Sequence, residues 1–323
     1  MKLTYHSPIP VFKGLFAAFL GFTLAGCPAL APDTPLRSPK TGTCECPYDL
    51  TSSGAECGGR SAYSRGGGDR PLCYVSDRTG GSSGGALVLG NPSRATSNPG
   101  NADNYLIEKS QYTLSYNRSK GTANWASWQL NSSWLGNVDR QDDFRPDDTL
   151  PDGFYQVKPT DYTRTGYDRG HIVPSADRTR SKSDNSSTFV MTNMMPQSPA
   201  NNREIWRELE EYARRLVRQG KELYIIAGPQ GRVKTIAEGK VTVPRYTWKI
   251  IVVLDRPGTG LSGIKPTTRA IAVRIPNDES VANRDWRQYR VSIDALEKLT
   301  GFDFLSNVPK STQDAIEAGV DRL

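Results

Sequence analysis

Apolar and polar residues alternate over 105–116 and again over 122–130, on either side of the polar run Asn117-Arg118-Ser119-Lys120-Gly121. A period of two puts successive side chains on opposite faces of a strand, so the pattern predicts a hairpin or paired strands. Leu223–Ala227, Tyr246–Leu254 and Arg269–Ile275 are rich in β-branched and aromatic residues and read as further strands. Between Asn201 and Gln219 the period changes to that of a helix. Ile205, Trp206, Leu209, Ala213, Leu216 and Val217 form its apolar stripe, and Gly220 supplies the stop. A shorter helix is predicted over Ser292–Leu299, opened by Ser292 or Asp294 and closed by Gly301. Strands and helices do not alternate regularly. The fold class expected is therefore α+β, a mainly antiparallel sheet with flanking helices.

The patterning becomes globular from about residue 86, and 86–323 is long enough for one sizeable domain. What precedes it divides by composition. Residues 1–26 carry Lys2 and Lys13, then an apolar stretch from Gly14 to Leu24 that is short for a permanent membrane span, so a signal peptide is expected. The ending Leu24-Ala25-Gly26-Cys27 resembles a bacterial lipobox, which implies lipidation of Cys27 and an exported protein held to a membrane by acyl chains. An ordinary cleaved signal is the alternative. Residues 27–43 read as a Pro-rich tether, 44–78 as a small Cys-rich module, and 79–85 as a Gly/Ser linker.

With Cys27 set aside, Cys44, Cys46, Cys57 and Cys73 remain. An even number in an exported chain suggests two disulfides, with three pairings open. A four-cysteine zinc site competes, but Cys-x-Cys followed by wide gaps lacks the usual pair of Cys-x-x-Cys knuckles. The formal charge is +7, and loss of Lys2 and Lys13 takes 41 basic residues to 39 against 34 acidic, a net of +5. A modestly basic surface suits a polyanionic partner such as nucleic acid or anionic lipid headgroups.

Outside the export segment, which contains His6, the chain has a single histidine, His171, in Tyr167-Asp168-Arg169-Gly170-His171-Ile172-Val173-Pro174. One imidazole cannot build a zinc site from clustered histidines, and by itself it reads as a hydrogen-bonded structural group. Downstream lie Asn193-Met194-Met195-Pro196-Gln197 and Asn202-Arg203-Glu204-Ile205-Trp206, then Glu210. The order implied is strand, loop, strand, helix, with His171 on the first strand, Asn193 after the second and Asn202 at the helix N-terminus.

This ordered set closely resembles the DNA/RNA non-specific endonuclease family, whose site is the ββα-metal (His-Me finger) arrangement and whose members include mitochondrial endonuclease G. The signature is Asp-Arg-Gly-His, then Asn-x-x-Pro-Gln, then Asn-x-x-x-Trp and a glutamate. The resemblance extends over about 86–323, including Asn124-Trp125-Ala126-Ser127-Trp128 and Gly228-Pro229. It implies a metal-dependent enzyme cleaving DNA and RNA. Cys46-Pro47-Tyr48-Asp49-Leu50, with the run from Cys57, also resembles a Cys-rich segment found beside some bacterial exported nucleases.

The resemblance makes His171 the general base that activates water and Asn202 the direct ligand of Mg²⁺, with Mn²⁺ as a substitute. An amide oxygen completed by waters suits a cation that dehydrates reluctantly. Glu210 matches the acid that holds metal-bound water. Eight residues along an α-helix bring about 12 Å of rise and about 80° of rotation, which favours that indirect role over shared ligation. Arg169 and Arg140 are the expected phosphate contacts, with Arg145 as the alternative to Arg140. Asn193 is expected to orient the His171 strand and ring, Gly170 to allow close backbone approach, and Asp168 to hold the turn or Arg169. Arg203 and Glu204, bulky for their position, are expected to affect which substrates fit. Blander roles exist for each residue: Asn202 as a helix cap, Glu210 as a solvated acid in a Glu/Arg-rich helix, Trp206 as core. At the level of function, the rivals are a non-catalytic nucleic-acid-binding lipoprotein and a DNA-only nuclease for uptake or defence.

Overall fold

The computed structural model describes residues 1, 35, 37–62, 73 and 85–323. The signal segment, Cys27, most of the tether and 79–84 of the linker lie outside the described residues.

In the nuclease-length region, seven strands form one antiparallel sheet in the order β1-β2-β3-β6-β9-β10-β11. They are β1 (Tyr105–Glu108), β2 (Thr113–Asn117), β3 (Thr122–Leu130), β6 (Glu222–Gln230), β9 (Tyr246–Leu254), β10 (Ala270–Pro276) and β11 (Arg290–Val291). Two small pairs stand apart: β4 (Asp168–His171) with β5 (Met194–Gln197), and β7 (Lys234–Ile236) with β8 (Val241–Val243). The stretch expected as one strand over 105–116 is two, because the chain reverses at 109–112 and pairs Tyr105 with Tyr116.

Both faces of the sheet are covered. On β9, Ile251 and Val253 face one core with Trp128, Trp206 and Leu209, while Trp248, Ile250, Val252 and Leu254 face a second core with Leu296, Phe304 and Ile316. Alternation along the outer strands therefore does not mark a wet face: Thr113, Ser115 and Ser127 are buried too. Ser115 and Asn124 hydrogen-bond across β2 and β3, and the Ser127 hydroxyl donates to the Ala86 carbonyl, which offsets the cost of burying the two serines.

The first core is closed by the long helix. It begins with a π-helical turn over Asn201–Trp206 and continues as α2 (Arg207–Arg218), ending at Gly220 with φ 87°. On the opposite face, α3 (Ile293–Thr300) is capped by Ser292 accepting from the Ala295 amide and closed by left-handed Gly301, as the sequence suggests. It packs with α4 (Lys310–Glu317). The polar helix α1 (Lys182–Ser187) has no apolar stripe, so no periodic signal announces it; Ser181 caps it by accepting from the Asp184 amide.

Near the N-terminus, the disulfides Cys44–Cys57 and Cys46–Cys73 resolve the open pairing. Between them Asp49 is fully buried and accepts from both guanidinium nitrogens of Arg37 (2.6 and 2.8 Å) and from the Lys40 and Cys46 amides. These bonds hold its carboxyl far below the usual range, with the Arg37 bond the largest cause. Arg37 and Lys40 belong to the expected tether, so the folded module reaches back beyond its first cysteine.

Candidate active site

A cleft of about 440 Å³ gathers Arg140, Arg169, His171, Asn202 and Glu210, residues far apart in the chain. Two short elements meet there: the β4–β5 pair carries His171, and the start of the long helix carries Asn202 and Glu210.

The β4–β5 ladder sets the first wall. It pairs Asp168 with Gln197 and His171 with Met194. Gly170 permits this pairing, since a Cβ there would run into the Gln197 side chain. Asn193 is fully buried and acts on backbone. Its amide donates to the Val173 and Thr188 carbonyls (both 2.9 Å), and its oxygen accepts from the Val173 amide (3.0 Å). The expected orienting role of Asn193 is thus seen on the backbone and not on the ring. The residue precedes β5 instead of following it, and it fixes the chain after His171 without hydrogen-bonding the ring.

The imidazole is oriented by aromatic packing. Phe189 and Phe144 stand edge-on to it at 4.8 and 5.5 Å, and the same two rings carry the arginines: Arg169 over Phe144 at 4.2 Å, Arg140 over Phe189 at 4.8 Å. The sequence reading missed this role of the phenylalanines, because apolar residues in a loop look like ordinary core. Burial, then the charges of Arg140 and Arg169, depress the His171 pKa to about 3. The ring is therefore neutral at ordinary pH. Its Nε2 is buried without a hydrogen-bond partner among the described residues.

Arg140 reaches the cleft, with Nη1 donating to the Ser175 hydroxyl (3.0 Å) and Nε to Asp142 (2.6 Å). Arg145 instead donates to Asp143 and to the Ser186 carbonyl and does not line the cleft.

The second wall begins with two adjacent asparagines that do different work. Asn201 pins the helix to the sheet, its amide donating to the Thr247 hydroxyl (3.1 Å) and the Pro276 carbonyl (2.8 Å). The Asn202 amide nitrogen donates to Asp168 Oδ2 (2.9 Å), which leaves its oxygen for the cleft. Asn202 thus does not cap the helix with its side chain. Asp168 in turn accepts two bonds from Arg203 (2.7 and 2.6 Å), so it holds Asn202 and Arg203, not Arg169. Glu204 is engaged as well, accepting from the Asn283 amide (2.9 Å). The intervening π turn matters for geometry. Bonds from i to i+5 turn the chain less per residue than an α-helix does, which swings Glu210 back toward the face of Asn202.

Behind Glu210 lies a charged group that motif reading missed. Lys249 Nζ sits 3.5 Å from Glu210 Oε1 and 4.1 Å from the Trp206 ring. Arg214 pairs with Asp177 at 2.8 Å, and Trp128 donates to the other Asp177 oxygen at 3.0 Å. Burial raises the Glu210 pKa, opposed by Lys249 and Arg214; burial lowers that of Lys249, opposed by Glu210 and Asp177. One signal was available: a lysine inside the apolar run 246–254 has no solvent face to occupy once both sheet faces are covered.

A two-stranded element and a helix converging on one histidine and one amide oxygen define a ββα nuclease. The chain belongs to the DNA/RNA non-specific endonuclease family, whose model matches residues 89–311. It is similar to a nuclease of Nostoc sp., 63% identical over 235 residues that span 73% of this chain and 85% of the relative. It is also similar to human mitochondrial endonuclease G, 30% identical over 217 residues, 63% of this chain and 70% of that protein. Among solved structures it resembles a chain of the EndoG/EndoGI complex with a TM-score of 0.60 at 25% identity, covering 73% of this chain and 94% of that one. The protein is a hydrolytic nuclease.

Proposed function

We propose that this chain is a Mg²⁺-dependent endonuclease that hydrolyses phosphodiester bonds in both DNA and RNA, with His171 as the general base. The observation that carries this reading is the convergence of a neutral, buried imidazole, two arginines and a freed amide oxygen on one cleft. Oxygen donors from Asn202 and Glu210 fit a hard divalent cation: Asn202 would hold it directly, with Glu210 reaching it through water. Bound there, such a cation neutralises charge developing on the phosphate oxygens.

The residues of the chain supply the rest. Arg140 and Arg169 flank His171 and match phosphate oxygens as guanidinium donors. A phosphate seated on them offsets the two positive charges that depress the imidazole, raising its basicity when substrate is present. His171 then takes a proton from the attacking water. The groups assigned to substrate contact phosphate, and phosphate contacts carry no sequence information, so cleavage has little sequence preference. We further propose, from the Leu24-Ala25-Gly26-Cys27 sequence, that the enzyme is exported and lipid-anchored through Cys27.

The test incubates purified protein with plasmid DNA and with RNA, in Mg²⁺ or chelator, beside His171→Ala. Wild type is expected to degrade both substrates in Mg²⁺ only. Intact substrates in Mg²⁺, or a His171→Ala variant as active as wild type, would overturn the reading; cleavage of DNA alone would leave the DNA-only alternative. Labelled fatty acid incorporated by wild type and lost in Cys27→Ala tests the anchor.

A further inference from the structure

We propose that Lys249 is a positioning residue of the nuclease: its ammonium, trapped beneath Glu210, keeps that carboxylate turned into the cleft and so sets the affinity for the divalent cation. The inference rests on the metal-dependent reading above. It begins with strand parity. On β9, Trp248 and Ile250 face the second core, whereas Lys249 shares its face with Ile251 and Val253 and points at the long helix. Its side chain is 2% exposed, so it cannot snorkel to water as lysines usually do.

The neighbouring strands offer this charge no acid at its own register. The residues across from Lys249 are Ala227 on β6 and Val273 on β10. Among the described residues its one anionic contact comes from the helix, Glu210 Oε1 at 3.5 Å, beside the faces of Trp206 on the helix at 4.1 Å and of Trp128 on β3 at 5.5 Å. Asp177, the other nearby acid, is already engaged on both oxygens by Arg214 and by the Trp128 indole. Two acids and two bases thus balance behind the cleft, and Lys249 is the base assigned to Glu210. A buried ion pair is weak support for stability, because an apolar replacement of similar volume often serves as well. What an apolar residue cannot do is offer Glu210 a donor at a fixed place beneath it, 3.5 Å from Oε1. Without Lys249 the carboxylate is free to turn toward Arg214, and the cleft loses a placed oxygen ligand.

The test measures Mg²⁺ binding by titration calorimetry, and DNA cleavage kinetics, on full-length wild type, Lys249→Met, Lys249→Gln and Glu210→Gln. Folding is checked by circular dichroism and melting. Lys249→Met is expected to bind Mg²⁺ about 10–100-fold more weakly, the usual effect of removing a group that orients a ligand. kcat should fall while KM for DNA stays near wild type. In the Glu210→Gln background the same lysine substitution should change Mg²⁺ affinity little further, since both act through one carboxylate. Lys249→Gln decides the matter if the methionine variant does not fold. Wild-type Mg²⁺ affinity in either folded neutral variant, or additive losses in the double variant, overturns the proposal. A wild type that neither binds Mg²⁺ nor cuts overturns the functional reading itself, which is a separate result.

Discussion

The two walls of the cleft are built by different physics. The His171 wall is held by backbone: a four-residue ladder, an asparagine with both ends on main chain, and two aromatic edges. The helix wall is held by charge: Lys249 under Glu210 and Arg214 on Asp177, all of them largely buried. Each method suits its cargo. An imidazole that must stay neutral gains from apolar packing, which destabilises its protonated form. A buried carboxylate is stabilised by a counter-charge that solvent cannot screen. At the rim the walls meet in the Arg203–Asp168 pair, which is far more exposed.

The largest expected effect lies on the first wall. His171→Ala should lower DNA turnover by about 10²–10⁴-fold, the range for loss of a general base, with Mg²⁺ affinity and melting little changed. Next comes a break in the second wall. Arg214→Ala leaves Asp177 buried and unpaired and should cost about 3–5 kcal/mol of stability in urea unfolding. A loss within that of a surface pair would mean that water replaces the guanidinium.

A third effect distinguishes the walls by pH. The unfolded chain protonates its imidazole below pH 6.5, whereas folded His171 resists until about pH 3. Stability therefore falls as pH drops through that window, by about 1.4 kcal/mol per unit from this group alone. His171→Gln should flatten the slope between pH 6 and 4; an unchanged slope would place the acid sensitivity elsewhere. The smallest effect belongs to the rim. Arg203, with 66% of its side chain exposed, should cost about 0–1 kcal/mol when replaced by alanine, and Mg²⁺ affinity should drop only slightly, because Asp168 still holds Asn202. A drop as large as that of Lys249→Met would show that the exposed pair positions Asn202 after all.

Much of this was legible before the structure. The strands read over 223–227, 246–254 and 269–275 follow from β-branched runs, and the helices read over 201–219 and 292–299 from periodicity and stops; the first strand extends to 222–230. The residues that line the cleft followed from ordered motifs, since the proposed chemistry needs few residue types at fixed order. Arg145 and Arg140 could not be separated, because both precede the same polar loop. Only the packing of Phe144 and Phe189 turns one guanidinium toward the cleft. Asn193 was expected to reach the ring for a related reason: its place in the motif is fixed equally well by a backbone clamp.

The sequence by itself pointed to the family and to the proposed site, because His171, Asn202, Glu210 and Arg169 sit in an order that local strand and helix signals make intelligible. It also bounded the disulfides to four cysteines. Only the tertiary structure decided the pairing, the splitting of 105–116 into two strands, the double burial of the sheet and the partner of Glu210. Each of these depends on contacts between residues distant in sequence. Lys249 and Glu210 are 39 positions apart, and no local pattern on β9 states which charge waits across the core.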